Sequence, residues 1–131
     1  MNIPFSPPDI TEEEIEAVAE VMRSGWITTG PKTKELERKM AEFTHTNRGV
    51  CLNSATSCME MALRLFEIGP GDEVIVPANT YIATILALTE NGLKPVLVEP
   101  SIETYEIDDS KIEKAITSKT KAICIVHLYG Q

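Results

Sequence analysis

The run Asn53-Ser54-Ala55-Thr56-Ser57 sets three hydroxyl side chains between a short apolar run, Val50-Cys51-Leu52, and the helix-forming residues Cys58-Met59-Glu60-Met61-Ala62-Leu63. A chain that turns into a helix there leaves its first backbone N–H groups without intrahelical partners, and such groups attract an anion. Ser54, Thr56 and Ser57 add hydroxyl donors at that spot, which describes a phosphate cradle. Plain N-capping calls for the same residue types. Tyr81, 25 residues after Thr56, offers an aromatic face. Glu99, His127 and Tyr129 add a carboxylate, an imidazole and a phenol. Cys51, Cys58 and Cys124 lack C-x-x-C spacing and read as reduced, buried, small apolar residues, with no metal and no catalysis assigned to them.

Alternating elements must position these groups. Thr11-Glu12-Glu13-Glu14 opens a helix, with Thr11 as N-cap, Glu14 at capping-box spacing and acids at the positive end of the dipole. Ile15, Val18, Ala19 and Met22 form its apolar stripe, and Gly25 ends it. Residues 26–31 are a loop carrying the single Trp, and residues 32–43 a second amphipathic helix with Leu36, Met40 and Phe43 inward. Strands are expected at 48–52, 73–76, 94–98 and 121–126, and helices at 55–66, 82–91 and 109–116, the last capped by Asp108 or Asp109. Pro4, Pro7 and Pro8 keep the first ten residues extended. Val- and Ile-rich strands alternating with helices of about ten residues define an α/β fold: a mostly parallel sheet with helices on both faces, in three layers. Ligands of such sheets bind beyond the carboxyl ends of the strands. The exits at 53–57, 78–81, 99–105 and 127–131 therefore converge on one edge.

Composition narrows the classes. The 131 residues suit one domain by length. A net charge of −8 argues against a nucleic-acid surface and against an anionic membrane. No run approaches the roughly 20 apolar residues of a membrane span. Residues 1–5 lack the basic start and apolar run of a signal peptide, so the cytoplasm is the expected location. The exit loops carry neither G-x-G-x-x-G nor G-x-x-x-x-G-K-[ST], which leaves dinucleotide and nucleoside-triphosphate sites unsupported. A single phosphate beside an aromatic face suits a compact phosphorylated ring, and pyridoxal phosphate is such a ligand.

Over essentially its whole length the chain resembles the N-terminal part of the DegT/DnrJ/StrS-type sugar aminotransferases, a branch of the fold-type-I pyridoxal-phosphate enzymes. The resemblance is carried by Trp26-Ile27-Thr28-Thr29-Gly30-Pro31, Asn53-Ser54-Ala55-Thr56-Ser57, Gly69-Pro70-Gly71-Asp72-Glu73-Val74-Ile75-Val76-Pro77, Asn79-Thr80-Tyr81 and Val126-His127-Leu128-Tyr129-Gly130, in that order and spacing. It implies that Ser54, Ala55, Thr56 and Ser57 hold the cofactor phosphate and that Tyr81 stacks on the pyridine ring. It places Thr28, Thr29 and Gly30 near the sugar. The implied substrate is a nucleotide-linked keto sugar, with glutamate or glutamine as amino donor, in cell-surface or secondary-metabolite sugar synthesis. The implied assembly is a homodimer with active sites built from both subunits.

In that family a later carboxylate pairs with the pyridinium nitrogen and a later lysine holds the cofactor covalently. Neither matches a position of this chain. The expectation is thus an N-terminal fragment: one partial domain, with an arm and helices at 1–47 and the start of the cofactor-binding large domain at 48–131, inactive alone and prone to associate. Relatives with His in place of the lysine act as dehydratases, and a truncated binding or dimerisation module is a further alternative. A hydrolytic set of His127, Glu99 and Ser54 is disfavoured, because Ser54 lacks the G-x-S-x-G elbow.

Overall fold

The computed structural model describes residue 3 and residues 6–131. The expectations drawn from Pro4 and from the very start of the chain fall outside the described residues. The chain divides into two compact units, one ending at Cys51 and the other beginning at Leu52.

The first unit holds α1 (Glu12–Ser24) and α2 (Pro31–Phe43). Thr11 starts α1 as the sequence predicts. Its hydroxyl accepts from the Glu13 N–H, and the Glu14 carboxylate accepts from the Thr11 N–H at 2.6 Å. Gly25 closes the helix at φ 73°, a left-handed conformation that glycine adopts without a Cβ clash. The expected inward packing of Leu36, Met40 and Phe43 is not found: these residues are exposed, as are Ile15, Val18 and Met22 of α1. Helical periodicity selects which face is apolar but supplies no partner to cover it. Neither helix buries a residue.

The second unit holds α3 (Ala55–Leu65), β1 (Glu73–Pro77), α4 (Ile82–Thr89), β2 (Lys94–Val98), α5 (Asp109–Ala115) and β3 (Thr120–Ile123), followed by a 3₁₀ turn at Leu128–Gly130. The sheet order is β2-β1-β3, with both pairings parallel. The expected strand at 48–52 does not form, and the last strand is shorter than 121–126. No strand pairs with these residues, and the Cys51 N–H donates to the Glu37 carboxylate at 2.9 Å instead of to a strand.

The centre is β1, whose five residues are all buried. Val74 and Val76 meet Leu88 and Leu93, with Leu63 of α3, Ile85 of α4, and Ile68, Ala122 and Cys124 packed around them. Ile75, one step along the pleat, points to the other face and is fully buried there. Burial also pushes the Cys124 thiol pKa above its ordinary value, away from the reactive thiolate.

Glu73 is a buried carboxylate at the start of β1. It accepts from the Thr117 hydroxyl at 2.6 Å and from the Lys94 ammonium at 2.9 Å, which ties the amino ends of all three strands. The Thr117 hydrogen bond, then Lys94, hold its pKa below the usual carboxylate range. A lowered folded-state pKa adds stability that is fully present above the unfolded value of about 4.3 and is lost as pH falls through the folded value. Glu73→Gln is therefore expected to lower stability at pH 7 and to flatten the acid limb of a stability–pH curve measured by urea unfolding. An unchanged acid limb would remove Glu73 from that role.

Candidate cofactor-phosphate site

Three of the four loops predicted to meet at one edge are exits of β-strands. They leave the carboxyl ends of β1, β2 and β3 and are joined by side-chain hydrogen bonds. Asn79, after β1, donates to the Tyr105 carbonyl at 3.4 Å. Gln131, after β3, donates to the Thr104 carbonyl at 3.2 Å, and the His127 Nδ1–H donates to the Gln131 main-chain oxygen at 2.9 Å. Tyr105 and Tyr129 both sit at positive φ, 63° and 57°. Such backbone strain persists where surrounding contacts fix it and gathers at functional edges.

The fourth loop, 53–57, follows no strand; α3 brings it to this edge. α3 and α4 lie side by side. Asn91, just past α4, accepts from the Arg64 Nε–H at 2.9 Å and donates to the Glu60 carbonyl at 3.5 Å. The C-terminal ends of the two helices are thus pinned together. Because only four residues separate α4 from β1, its N-terminus lies at the carboxyl edge of the sheet, and that of α3 points the same way. Asn91 could not be singled out from the sequence, where it reads only as a residue ending a helix.

The hydroxyls at the start of α3 divide into two roles. Ser54 is the N-cap: its Oγ accepts from the Ser57 N–H at 3.1 Å and donates to the Ser57 Oγ at 3.1 Å. The Cys58 N–H closes the first turn on the Ser54 carbonyl. Among the described residues nothing accepts from the Ala55 and Thr56 N–H groups or from the Thr56 and Ser57 hydroxyls. Four donors therefore stand at the positive end of a three-turn helix, the environment that favours a phosphate. Tyr81, the N-cap residue of α4, is 78% exposed, and the nearby Thr80 and Thr84 hydroxyls bond each other at 2.9 Å. An open aromatic face and a free anion cradle fit the two ends of pyridoxal phosphate.

Thr28, Thr29 and Gly30 lie in the first unit, in the loop between α1 and α2, with both threonines exposed. All eight lysines are exposed. Lys94 is held by Glu73 at the amino end of the sheet, Lys39 by Glu35 and Lys111 by Asp108. Asp108 caps α5 through the Ser110 N–H and hydroxyl, and those bonds, with Lys111, lower its pKa. No cluster of three or more His, Cys, Asp or Glu side chains that could hold a metal stands among the described residues. No helix among them is long and apolar enough to cross a membrane.

In a parallel α/β sheet ligands bind beyond the carboxyl ends of the strands, the edge at which α4 begins with the exposed Tyr81 before it. The chain belongs to the DegT/DnrJ/EryC1/StrS aminotransferase family, which it matches over residues 8–131. It is 49% identical to the dTDP-3-amino-3,6-dideoxy-alpha-D-galactopyranose transaminase of Aneurinibacillus thermoaerophilus, over 92% of this chain and 33% of the relative. It is 45% identical to the UDP-4-amino-4-deoxy-L-arabinose–oxoglutarate aminotransferase of Shewanella sediminis, over 98% and 33%. Among solved structures it resembles the PMP-form of Spr1654 from Streptococcus pneumoniae, assigned as a sugar aminotransferase. The TM-score is 0.89 and the identity 58%, over 99% of this chain and 33% of that one. The chain thus spans about a third of the length of the curated relatives it matches.

Proposed function

We propose that this chain forms the phosphate-cradle part of a pyridoxal-phosphate-dependent aminotransferase. Its substrate is a nucleotide-linked keto sugar, its amino donor glutamate or glutamine, and its working form a cytoplasmic homodimer. The observation that carries the reading is the set of four free donors at the start of α3, on the same sheet edge as the open Tyr81 ring. Ala55, Thr56 and Ser57 would hold the phosphate through two amides and two hydroxyls, Ser54 would keep that turn in shape, and Tyr81 would cover the ring. The cofactor supplies the electron sink for moving an amino group. The named aminotransferases at 45% and 49% identity favour amino transfer over dehydration.

Titrating the ¹⁵N-labelled chain with pyridoxamine phosphate is expected to move the Ala55 and Thr56 amide signals first. Inorganic phosphate should move the same two more weakly. Signals that stay fixed at millimolar ligand overturn the cradle. Steady amino transfer from glutamate to a dTDP-linked keto sugar is not expected from these 131 residues alone, because all eight of their lysines are exposed, whereas imine chemistry calls for a lysine desolvated in an apolar site. Product formation above the cofactor-only background would contradict that.

A further inference from the structure

The loop between α1 and α2 is built around its tryptophan. The Trp26 indole N–H donates to the Thr29 carbonyl at 3.1 Å. The Trp26 backbone N–H donates at 3.2 Å to the Ser24 hydroxyl, which itself donates to the Val21 carbonyl in the last turn of α1. Gly30 lies beneath the ring and is the one buried residue among the described residues of this unit. A Cβ on Gly30 would fall 2.3 Å from Trp26 Cδ1 and 2.8 Å from Nε1, so any side chain there must push the indole off the loop. The φ of Gly30 is −119°, which every residue can adopt. Glycine is needed here for close approach and not for a turn. Pro31, at the first position of α2, holds Gly30 extended. No hydrogen bond engages the Thr28 or Thr29 hydroxyl among the described residues, while the Thr29 carbonyl is occupied by the indole.

We infer that Trp26 and Gly30 form a clasp that sets residues 26–30 in one conformation before any ligand arrives and leaves the Thr28 and Thr29 hydroxyls outward. A loop ordered in advance does not lose that freedom again on binding. Its value to sugar binding rests on the reading above that Thr28–Gly30 meet the sugar; the clasp itself does not.

Backbone order parameters of the ¹⁵N-labelled chain test it. In the wild type, residues 27–29 are expected near the rigid value of about 0.85, and in Trp26→Leu and Gly30→Ala below about 0.6, with α1 and α2 unchanged. Gly30→Ala should add nothing further in the Trp26→Leu background, because the ring it displaces is already gone. A loop that stays rigid in Trp26→Leu overturns the clasp. Should Trp26→Leu disturb the helices, Trp26→Phe keeps a ring over Gly30 and removes only the donor. Residues 28 and 29 should then exchange their amides about tenfold faster, the equivalent of one neutral hydrogen bond, and unchanged exchange overturns the clasp. Adding dTDP-glucose to the wild type separates the two ideas. A shift of the single indole signal supports the sugar at this loop, and a fixed signal overturns that assignment while the clasp stands on the order parameters.

Discussion

Ile75→Ala is expected to lower the stability of the sheet unit by about 3 kcal/mol, within the range of 2–5 for buried Ile to Ala. Ile75 is fully buried in the central strand, between β2 and β3, so neither edge of the sheet can close over the lost methyls. The cost combines the lost transfer of three carbons with the void they leave. The contrast is Ile102→Ala. Ile102 is 83% exposed, and its loss should stay within about 0.5 kcal/mol. The readout matters as much as the variant. The single Trp lies in the first unit, whereas β1 belongs to the second. Hydrogen exchange of the β1 amides reports on β1, because they open only when the sheet opens. A loss below about 1 kcal/mol at Ile75 would mean that β1 is not the core of this unit.

The sequence was most legible where a local rule acts alone. Thr11 with Glu14, Gly25 after a helix and the Asp108-Asp109 pair before one each state a cap in a few residues, and each cap is in place, with Asp108 the one of the pair that caps. The strands expected at 73–76 and 94–98 were equally clear, since Val- and Ile-rich runs bounded by Gly and Pro have few other uses, and the first runs one residue further, to Pro77. Legibility failed where the outcome depends on a distant partner. Val50-Cys51-Leu52 has strand composition, yet a strand exists only when another offers it a ladder, and the Glu37 carboxylate took the Cys51 N–H. Leu36, Met40 and Phe43 fall on one helical face, but periodicity says nothing about what covers that face, and in this unit they stay exposed. At the candidate site the residue types were readable and the division of labour was not. Which of Ser54, Thr56 and Ser57 caps and which is left free is decided by hydroxyl geometry. The pinning of α3 to α4 through Asn91 has no local signature at all.

That division of labour gives the sharpest test of the site. Ser54→Ala is expected to cost α3 about 1 kcal/mol of stability, the ordinary value of a lost N-cap. Once the helix is formed, it should alter ligand affinity little, since the Ser54 hydroxyl is engaged with Ser57. Thr56→Val is the reverse case. It keeps the branched shape, removes a hydroxyl that bonds nothing else among the described residues, and should change stability by less than about 0.5 kcal/mol. Its loss appears in binding. A hydrogen bond to a charged acceptor is worth about 1.5–3 kcal/mol, so affinity for pyridoxamine phosphate should fall between about tenfold and a hundredfold. Ser57→Ala should behave similarly, with a small stability cost from its contact with Ser54. Tyr81→Ala should weaken pyridoxamine phosphate while leaving inorganic phosphate unchanged, because only the former carries a ring to cover. Calorimetric titration of the four variants with both ligands separates the roles. If Ser54→Ala weakens binding as much as Thr56→Val, the hydroxyls act as caps alone and the anion, if held, rests on the two free amides.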